Sequence, residues 1–551
     1  MIRIATRASA LALAQSSAVA SALQRLGETT ELVIRTTTGD AMVHEPFTSI
    51  DGKGFFTKEL EDALLANEAD LAVHSLKDLP TELPPGLRLA ATPEREDPAD
   101  LLIIRNEFVD WRFALPVAPN ANVGTSSARR RAQWAARRPD TQLLELRGNV
   151  PTRIDKLRAG EYGAILLAKA GINRLALDLS EFTTIRLDPT VFIPAPGQGA
   201  LGLEIREGDE ELAAKLALLN RTDVRGAVDA ERAVLLALGG GCSQPVGVYA
   251  RRRGRSVVLD AVLGPGASGL TKAGEIRRAR VVTDTYANAT KRAIETLNYR
   301  HSAARVSLRS KTVIITQQKG RCDRIACDLE ERGARVLLAP LITIQNCADD
   351  AARAALAGAS KYHYILFTSR TAADAFVEIA GPSVLEHLRS APEIVLGAVG
   401  RTSAEPLEAA GLAVEIVSRS DGAASLAGLV IRHAEGRGLL NSQVLFPCAK
   451  EPRAELCTIL QNAGMDVTRA PLYETKSATA ESLAPLRGET ADYALFFSPS
   501  AVATYQLIKP FETRTSVAIG PTTLTSIVEG SLPDPRLAGA PDPGALLEII
   551  K

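Results

Sequence analysis

Short uninterrupted apolar runs recur along the first 212 residues: Leu32-Val33-Ile34, Leu71-Ala72-Val73, Leu101-Leu102-Ile103-Ile104 and Ala164-Ile165-Leu166-Leu167-Ala168, with helical stretches between them. Runs of strand length with no polar alternation are what strands buried on both faces require, so the rhythm predicts an α/β fold. Prolines at 93 and 98, the stretch Leu115-Pro116-Val117-Ala118-Pro119, and Pro194-Ala195-Pro196-Gly197-Gln198-Gly199 predict crossings between two lobes that enclose a cleft. Beyond Asp223 a helical pattern at 228–238 meets Gly239-Gly240-Gly241-Cys242, and strand-like runs follow at 246–249 and 257–262, a small α+β domain. Residues 301–310 are polar, and a fresh α/β alternation starts at Thr312-Val313-Ile314-Ile315.

The second half repeats itself. Ile365-Leu366-Phe367-Thr368-Ser369 is echoed by Ala494-Leu495-Phe496-Phe497-Ser498, and Gly397-Ala398-Val399-Gly400-Arg401-Thr402 by Val517-Ala518-Ile519-Gly520-Pro521-Thr522. The echo predicts two related α/β lobes. The expected organisation is a two-lobed α/β region over 1–222 (first lobe about 1–95 and 196–222, second about 96–195), a small α+β domain over 223–305, and a bilobed unit over 311–551.

Of the 551 residues 46% are hydrophobic, enough for several cores, and 64 Lys/Arg balance 64 Asp/Glu, which argues against a polyanionic or polycationic partner. No run of about 18 uncharged apolar residues occurs, and Met1-Ile2-Arg3-Ile4 leads straight into mixed sequence, so a cytoplasmic protein with no membrane partner is expected. Six cysteines without C-x-x-C spacing and six scattered histidines predict free thiols and no metal.

Charge is uneven locally. Between residues 120 and 160 stand nine Lys/Arg against three acids, so an anion is expected there. Val123-Gly124-Thr125-Ser126-Ser127-Ala128-Arg129-Arg130 reads as strand, glycine, hydroxyl caps and helix, which aims free N–H groups and a positive helix end at one spot. Arg147-Gly148-Asn149-Val150-Pro151-Thr152-Arg153 adds two guanidiniums suited to carboxylates, and Arg7 stands at the end of the first strand. A solvated helix face is the competing reading for Arg137 and Arg138. Nucleic acid is a weak alternative, because aromatics are 4% and Trp134 alone stands among these arginines.

The phrase Ala69-Asp70-Leu71-Ala72-Val73-His74-Ser75-Leu76-Lys77-Asp78-Leu79-Pro80 is a buried strand that empties into polar residues, leaving Asp78 near a C-terminal strand edge, where α/β folds place ligands. A surface ion pair with Lys77 is the alternative. Cys242, after three glycines, is either a small core residue or a group approached closely by a ligand.

These phrases, with Ile4-Ala5-Thr6-Arg7-Ala8-Ser9, Gly52-Lys53-Gly54-Phe55-Phe56-Thr57-Lys58, Glu94-Arg95-Glu96-Asp97-Pro98 and Ala230-Glu231-Arg232, resemble hydroxymethylbilane synthase (porphobilinogen deaminase) over about residues 1–300. The resemblance implies a periplasmic-binding-protein-like fold that condenses four porphobilinogen molecules, releasing ammonia, on a dipyrromethane cofactor held through a thioether to Cys242. It implies Asp78 as the carboxylate that steadies each cationic pyrrole, and Cys242, Lys77, Ser75, Arg129, Arg130, Thr125, Ser126 and Arg147 around the cofactor. Arg7, Ser9, Arg153, Lys53 and Lys58 are then expected at the substrate, with residues 51–58 as a cover.

Residues 311–551 resemble uroporphyrinogen-III synthase through the two strand-end phrases, the two glycine turns and Pro471-Leu472-Tyr473-Glu474-Thr475. This implies dehydrating closure of hydroxymethylbilane with inversion of the last pyrrole, with Tyr473 assisting departure of the hydroxyl and Thr368, Ser369, Thr402, Ser498 and Thr522 holding the ligand. Where the family often has an arginine after the first strand the chain reads Gln317-Gln318-Lys319-Gly320, so that anionic contact is expected either to be missing or to be supplied by Lys319, with Lys450 and Arg453 as substitutes. A monomer is expected. The competing function is a two-lobed anion-binding protein fused to a regulatory sensor domain.

Overall fold

The computed structural model describes residues 1–35, 57–239, 244–254, 256–265, 276–298, 307–418, 422–539 and 543–550. Lys53, Cys242 and most of the expected cover at 51–58 lie outside the described residues.

The first sheet has the order Thr30–Arg35, Ile2–Arg7, Leu71–Ser75, Leu201–Arg206, Leu87–Ala91. Its first three strands are parallel, and Leu201–Arg206 runs antiparallel to both neighbours. The second repeats the plan, with Gln142–Leu144, Asn122–Gly124, Ala164–Ala168, Asp100–Ile104 and Thr183–Arg186 in that order and Asp100–Ile104 as the reversed strand. The two reversed strands are those the chain enters just after the proline-rich stretches, so each lobe donates its crossing to the other. Strand interiors such as Ile4, Leu71, Leu102, Ile104, Ala164 and Leu166 are fully buried, as their unbroken apolar runs demand.

In both lobes the C-terminal ends of the parallel strands give way to polar turns and helix N-termini. Ser9 caps helix Ala10–Arg25, Ser127 caps Ala128–Arg137 and Asn149 caps Val150–Arg158, each through its side-chain oxygen. These ends face one crevice, the position where α/β sheets collect ligands.

A three-stranded antiparallel sheet, Val246–Arg253, Ser256–Leu263 and Arg277–Thr283, carries helices Thr222–Ala237 and Tyr286–Asn298 over a core of Val234, Val248, Leu259 and Leu297. Its first strand runs four residues past the predicted end at 249, because Ala250 keeps the inward alternation while Arg251 reaches the buried Asp260 at 2.8 Å.

The second half holds two more sheets. One is all parallel, in the order Arg335–Leu338, Thr312–Ile315, Thr490–Phe496, Glu512–Ala518, Pro535–Leu537. The other reads Ile342–Asn346, Asp466–Ser477, Gln443–Ala449, Tyr364–Phe367, Val395–Val399, Val414–Ser418, with only Ile342–Asn346 antiparallel. The echoed phrases occupy matching places: Tyr364–Phe367 and Thr490–Phe496 lead to Ser369 and Ser498, which cap helices Arg370–Ser390 and Pro499–Ile508, and the strand beside each leads to a glycine turn. Gly400 sits at φ +70, which explains why that turn carries glycine.

Among the described residues no helix is long and apolar enough to cross a membrane. The five cysteines among them carry free thiols.

Candidate active sites

The crevice of the first half is lined by Gln15, Ser75 and Lys77 from one lobe and by Arg130, Arg153 and Arg174 from the other. Ser75 Oγ accepts from Gln15 Nε2 at 2.9 Å, and Lys77 Nζ stands 3.4 Å from Gln198 Oε1. Gln198 Nε2 in turn donates to Asp100 Oδ1 at 3.0 Å. Asp100 is fully buried at the start of the reversed strand and gathers both arginines of the helix: Arg129 Nη1 at 2.6 Å and Arg130 Nη2 at 2.8 Å. Burial alone would push the Asp100 carboxyl up, but the charges and hydrogen bonds of Arg129 and Arg130 outweigh it and hold the group well below the usual carboxylate range.

Arg129 and Arg130 therefore differ from the sequence expectation that both grip a ligand. Arg129 is spent on Asp100 and on the carbonyl of Ile193 at 2.9 Å, with its Nε buried and unpartnered, and it does not line the crevice. Arg130 serves both purposes, bound to Asp100 and the Leu166 carbonyl while facing the crevice. Burial pulls the Lys77 ammonium down to about 8, with Asp78 opposing, and burial followed by the charge of Arg130 pulls Arg153 down to about 10. Cations so crowded are discharged of strain by an incoming anion.

Asp78 ends the short helical turn Leu76–Asp78 just after strand Leu71–Ser75, half-buried, and its charge acts on Lys77 in its own lobe and on Arg153 in the other. The remaining predicted residues frame rather than line the crevice. Ser126 Oγ donates to the Leu146 carbonyl at 2.8 Å and accepts from the Leu146 amide at 3.1 Å, stitching two turns together. Thr125 is buried and accepts from the Ser127 amide at 3.3 Å, Arg147 pairs with Glu145 at 2.7 Å, and Ser9 accepts from the Ala12 amide at 3.3 Å. Arg7 is half-buried and Lys58 exposed at the start of helix Lys58–Leu65. Arg174, Gln15 and Gln198 were not singled out from sequence. Arg174 falls on a six-residue helix with no glycine turn beside it, so no local signal marks it.

In the second half Tyr473, on the long strand Asp466–Ser477, places its Oη 3.1 Å from Ser369 Oγ, and Ser369 also accepts from the Ala372 amide at 3.1 Å. Burial raises the Tyr473 phenol and the bond to Ser369 partly offsets it. Thr368 and Ser498 are half-buried, whereas Thr402 and Thr522 are exposed. Lys319 departs from its expected place: its Nζ is buried, unpartnered, and lies 5.6 Å from the centre of the Trp111 ring in the first half. Arg321, two residues on, donates to Thr371 Oγ1 at 2.8 Å, and its charge reaches Tyr473. Lys450 is exposed and pairs with Glu474 at 3.2 Å, and Arg453 is exposed.

A crevice of donors and cations with the carboxylates Asp78 and Asp100 behind it, followed by a second α/β unit whose strand ends present hydroxyls, is built to bind anionic ligands. Residues 2–214 match the porphobilinogen deaminase dipyrromethane cofactor-binding domain, residues 226–278 its C-terminal domain, and residues 323–548 uroporphyrinogen-III synthase HemD. The porphobilinogen deaminase of Roseiflexus castenholzii is 47% identical over 265 residues, 48% of this chain and 86% of the relative. That of Syntrophobacter fumaroxidans is 46% identical over 252 residues, 45% of this chain and 80% of the relative. A solved uroporphyrinogen-III synthetase from Helicobacter pylori aligns at 21% identity with a TM-score of 0.31, covering 43% of this chain and 97% of its own.

The chain belongs to the porphobilinogen deaminase family and carries a uroporphyrinogen-III synthase unit behind it. It is a bifunctional enzyme of tetrapyrrole biosynthesis, with hydroxymethylbilane synthase and uroporphyrinogen-III synthase activities and a dipyrromethane cofactor. The competing reading, an anion-binding protein joined to a sensor, finds no support among the families matched.

Proposed function

We propose that the crevice between the first two lobes cradles the acetate and propionate groups of the cofactor and growing chain, with Asp78 as the catalytic carboxylate and Cys242 as the anchor. The observation that carries this reading is the donor set: Lys77, Arg130, Arg153 and Arg174 with Ser75 and Gln15, all able to donate to carboxylates. When bound, the dipyrromethane supplies the pyrrole carbon on which the chain is built. Asp78, whose charge reaches cations of both lobes, steadies the cationic carbon left when the aminomethyl nitrogen departs as ammonia, and exchanges protons with that nitrogen and with the pyrrole nitrogens. Arg129 positions Arg130 by sharing Asp100 with it. The units responsible divide at the boundaries 1–222, 223–305 and 311–551. The enzyme works as a monomer in the cytoplasm, where its free thiols are stable.

The intact mass of the purified full chain is expected to exceed that of its sequence by one dipyrromethane, and Cys242→Ala to abolish both the excess and porphobilinogen consumption. An unmodified chain that still consumes porphobilinogen would refute the anchor.

In the second half, Tyr473 donates the proton that lets the terminal hydroxyl leave as water, and Ser369 aims the phenol. Ser498 and Thr368 hold carboxylates at the strand ends, with Thr402 and Thr522 at the rim. Tyr473→Phe is expected to slow type-III closure by about 10- to 100-fold, with the isomer ratio shifting toward the unassisted type-I product. An unchanged rate and ratio with supplied hydroxymethylbilane would count against this role.

A further inference from the structure

Between the two enzymes the structure buries charge. Helix Asp323–Glu331 of the synthase unit packs against helix Ala128–Arg137 of the deaminase's second lobe, where Arg137 Nε donates to Glu330 Oε2 at 2.6 Å and both side chains are 2% exposed. One residue further along, Glu331, 4% exposed, accepts from Arg278 Nε and Nη2 at 2.9 and 2.6 Å, and Arg278 belongs to strand Arg277–Thr283 of the third domain. Arg324 at the start of the same helix stands 3.7 Å from Asp260, a 2%-exposed carboxylate of that domain. Cys327 Sγ fills the space between, 3.4 Å from Arg278 Nη2 and 3.6 Å from Glu331 Oε1. One short helix thus closes on two separate units of the deaminase.

The deaminase returns the contact. The carbonyl of Arg112 accepts from the Leu338 amide at 2.7 Å, pairing part of the edge strand Arg335–Leu338, and Phe113 enters the synthase core beside Leu337 and Phe496.

We infer that helix Asp323–Glu331 is a brace fastening the deaminase's second lobe to its third domain, so that porphobilinogen polymerisation depends on the synthase half as a scaffold, apart from ring closure. Among the described residues, the carboxylates paired with Arg137 and Arg278 stand on this helix, and a buried guanidinium stripped of its partner reopens the seam.

Hydrogen exchange on the full chain tests this. In the wild type, Ala128–Arg137, Arg277–Thr283 and Asp323–Glu331 are expected to open together as one cooperative unit. In Glu330→Gln/Glu331→Gln, exchange in both deaminase segments is expected to rise about tenfold or more, and porphobilinogen consumption to fall several-fold, while closure of supplied hydroxymethylbilane stays within about twofold of wild type. Separate opening rates in the wild type, or unchanged exchange in the variant, would overturn the brace. The wild-type measurement stands even where the variant fails to fold, and the mass of the adduct reports independently on Cys242.

Discussion

Asp78→Ala is expected to keep the mass excess of the attached dipyrromethane while cutting porphobilinogen consumption by about a thousandfold, the scale at which a positioned electrostatic group acts in a shielded site. The argument is one of charge. The crevice gathers Lys77, Arg130, Arg153 and Arg174, a field that welcomes carboxylates and repels the cation formed when ammonia leaves. Asp78 is the carboxylate whose charge reaches Lys77 and Arg153, so it is the group able to reverse the local sign where the reaction needs it. Its removal has a second consequence. Asp78 opposes the burial that already pulls Lys77 down to about 8, so without it the ammonium loses its proton at still lower pH. KM for porphobilinogen in the variant is therefore expected to climb from a lower pH than in the wild type, since a lysine binds carboxylate only below its pKa. Asp78→Glu should retain part of the rate. Consumption by Asp78→Ala within about threefold of wild type would remove the residue from the chemistry, and loss of the adduct would move its role to attachment.

The strands were legible because each buried run is chemically uniform: Leu101 to Ile104 and Ala164 to Ala168 contain nothing a solvated element would need. The cap at Ser127 was legible for a related reason, since it stands between an apolar run and a helical one and acts within three residues, whereas Ser369 and Ser498, expected as ligand-holding hydroxyls, also cap helices. Contacts across long separations were not. Asp100 reads as the polar edge of an apolar strand, and nothing near it announces that Arg129 and Arg130, about thirty residues on, will be bound to it. Arg137 and Arg138, for which a solvated face competed with anion binding, are buried instead. Arg137 meets Glu330 across 193 positions of sequence, and Arg138 donates to the carbonyl of Val117 at 2.6 Å and lies 4.0 Å from the Phe113 ring centre. The exchange of Lys319 for Arg321 has the same origin. Lys319 lies beside Trp111, a residue of the other enzyme, while Arg321 in the same turn bonds Thr371.

Asp100→Ala is expected to be the most damaging single change to the fold of the first half, destabilising it by about 3–5 kcal/mol and lowering its melting temperature by about 10 °C. The carboxylate is fully buried and receives four guanidinium N–H contacts and one from Gln198, so its loss leaves two buried cations facing each other across a void. Asp100→Asn, which keeps the shape and one acceptor, should cost less but still leave the charge uncompensated. The pH dependence has a definite sign. Because the folded-state pKa is depressed, the contribution of Asp100 is complete above the ordinary carboxylate pKa and is lost only as pH falls below it, so the wild type and Asp100→Ala should converge in stability in acid and differ by a constant amount from about pH 5 upward. Thermal melts of both proteins across that range decide the matter, and a gap that widened with rising pH above neutrality would place the stabilising proton on another group. The same residue couples fold to chemistry: Arg130 is held at the crevice by the bond that Asp100 supplies, so a refolded Asp100→Ala enzyme should show weakened porphobilinogen binding even where its lobes reassemble.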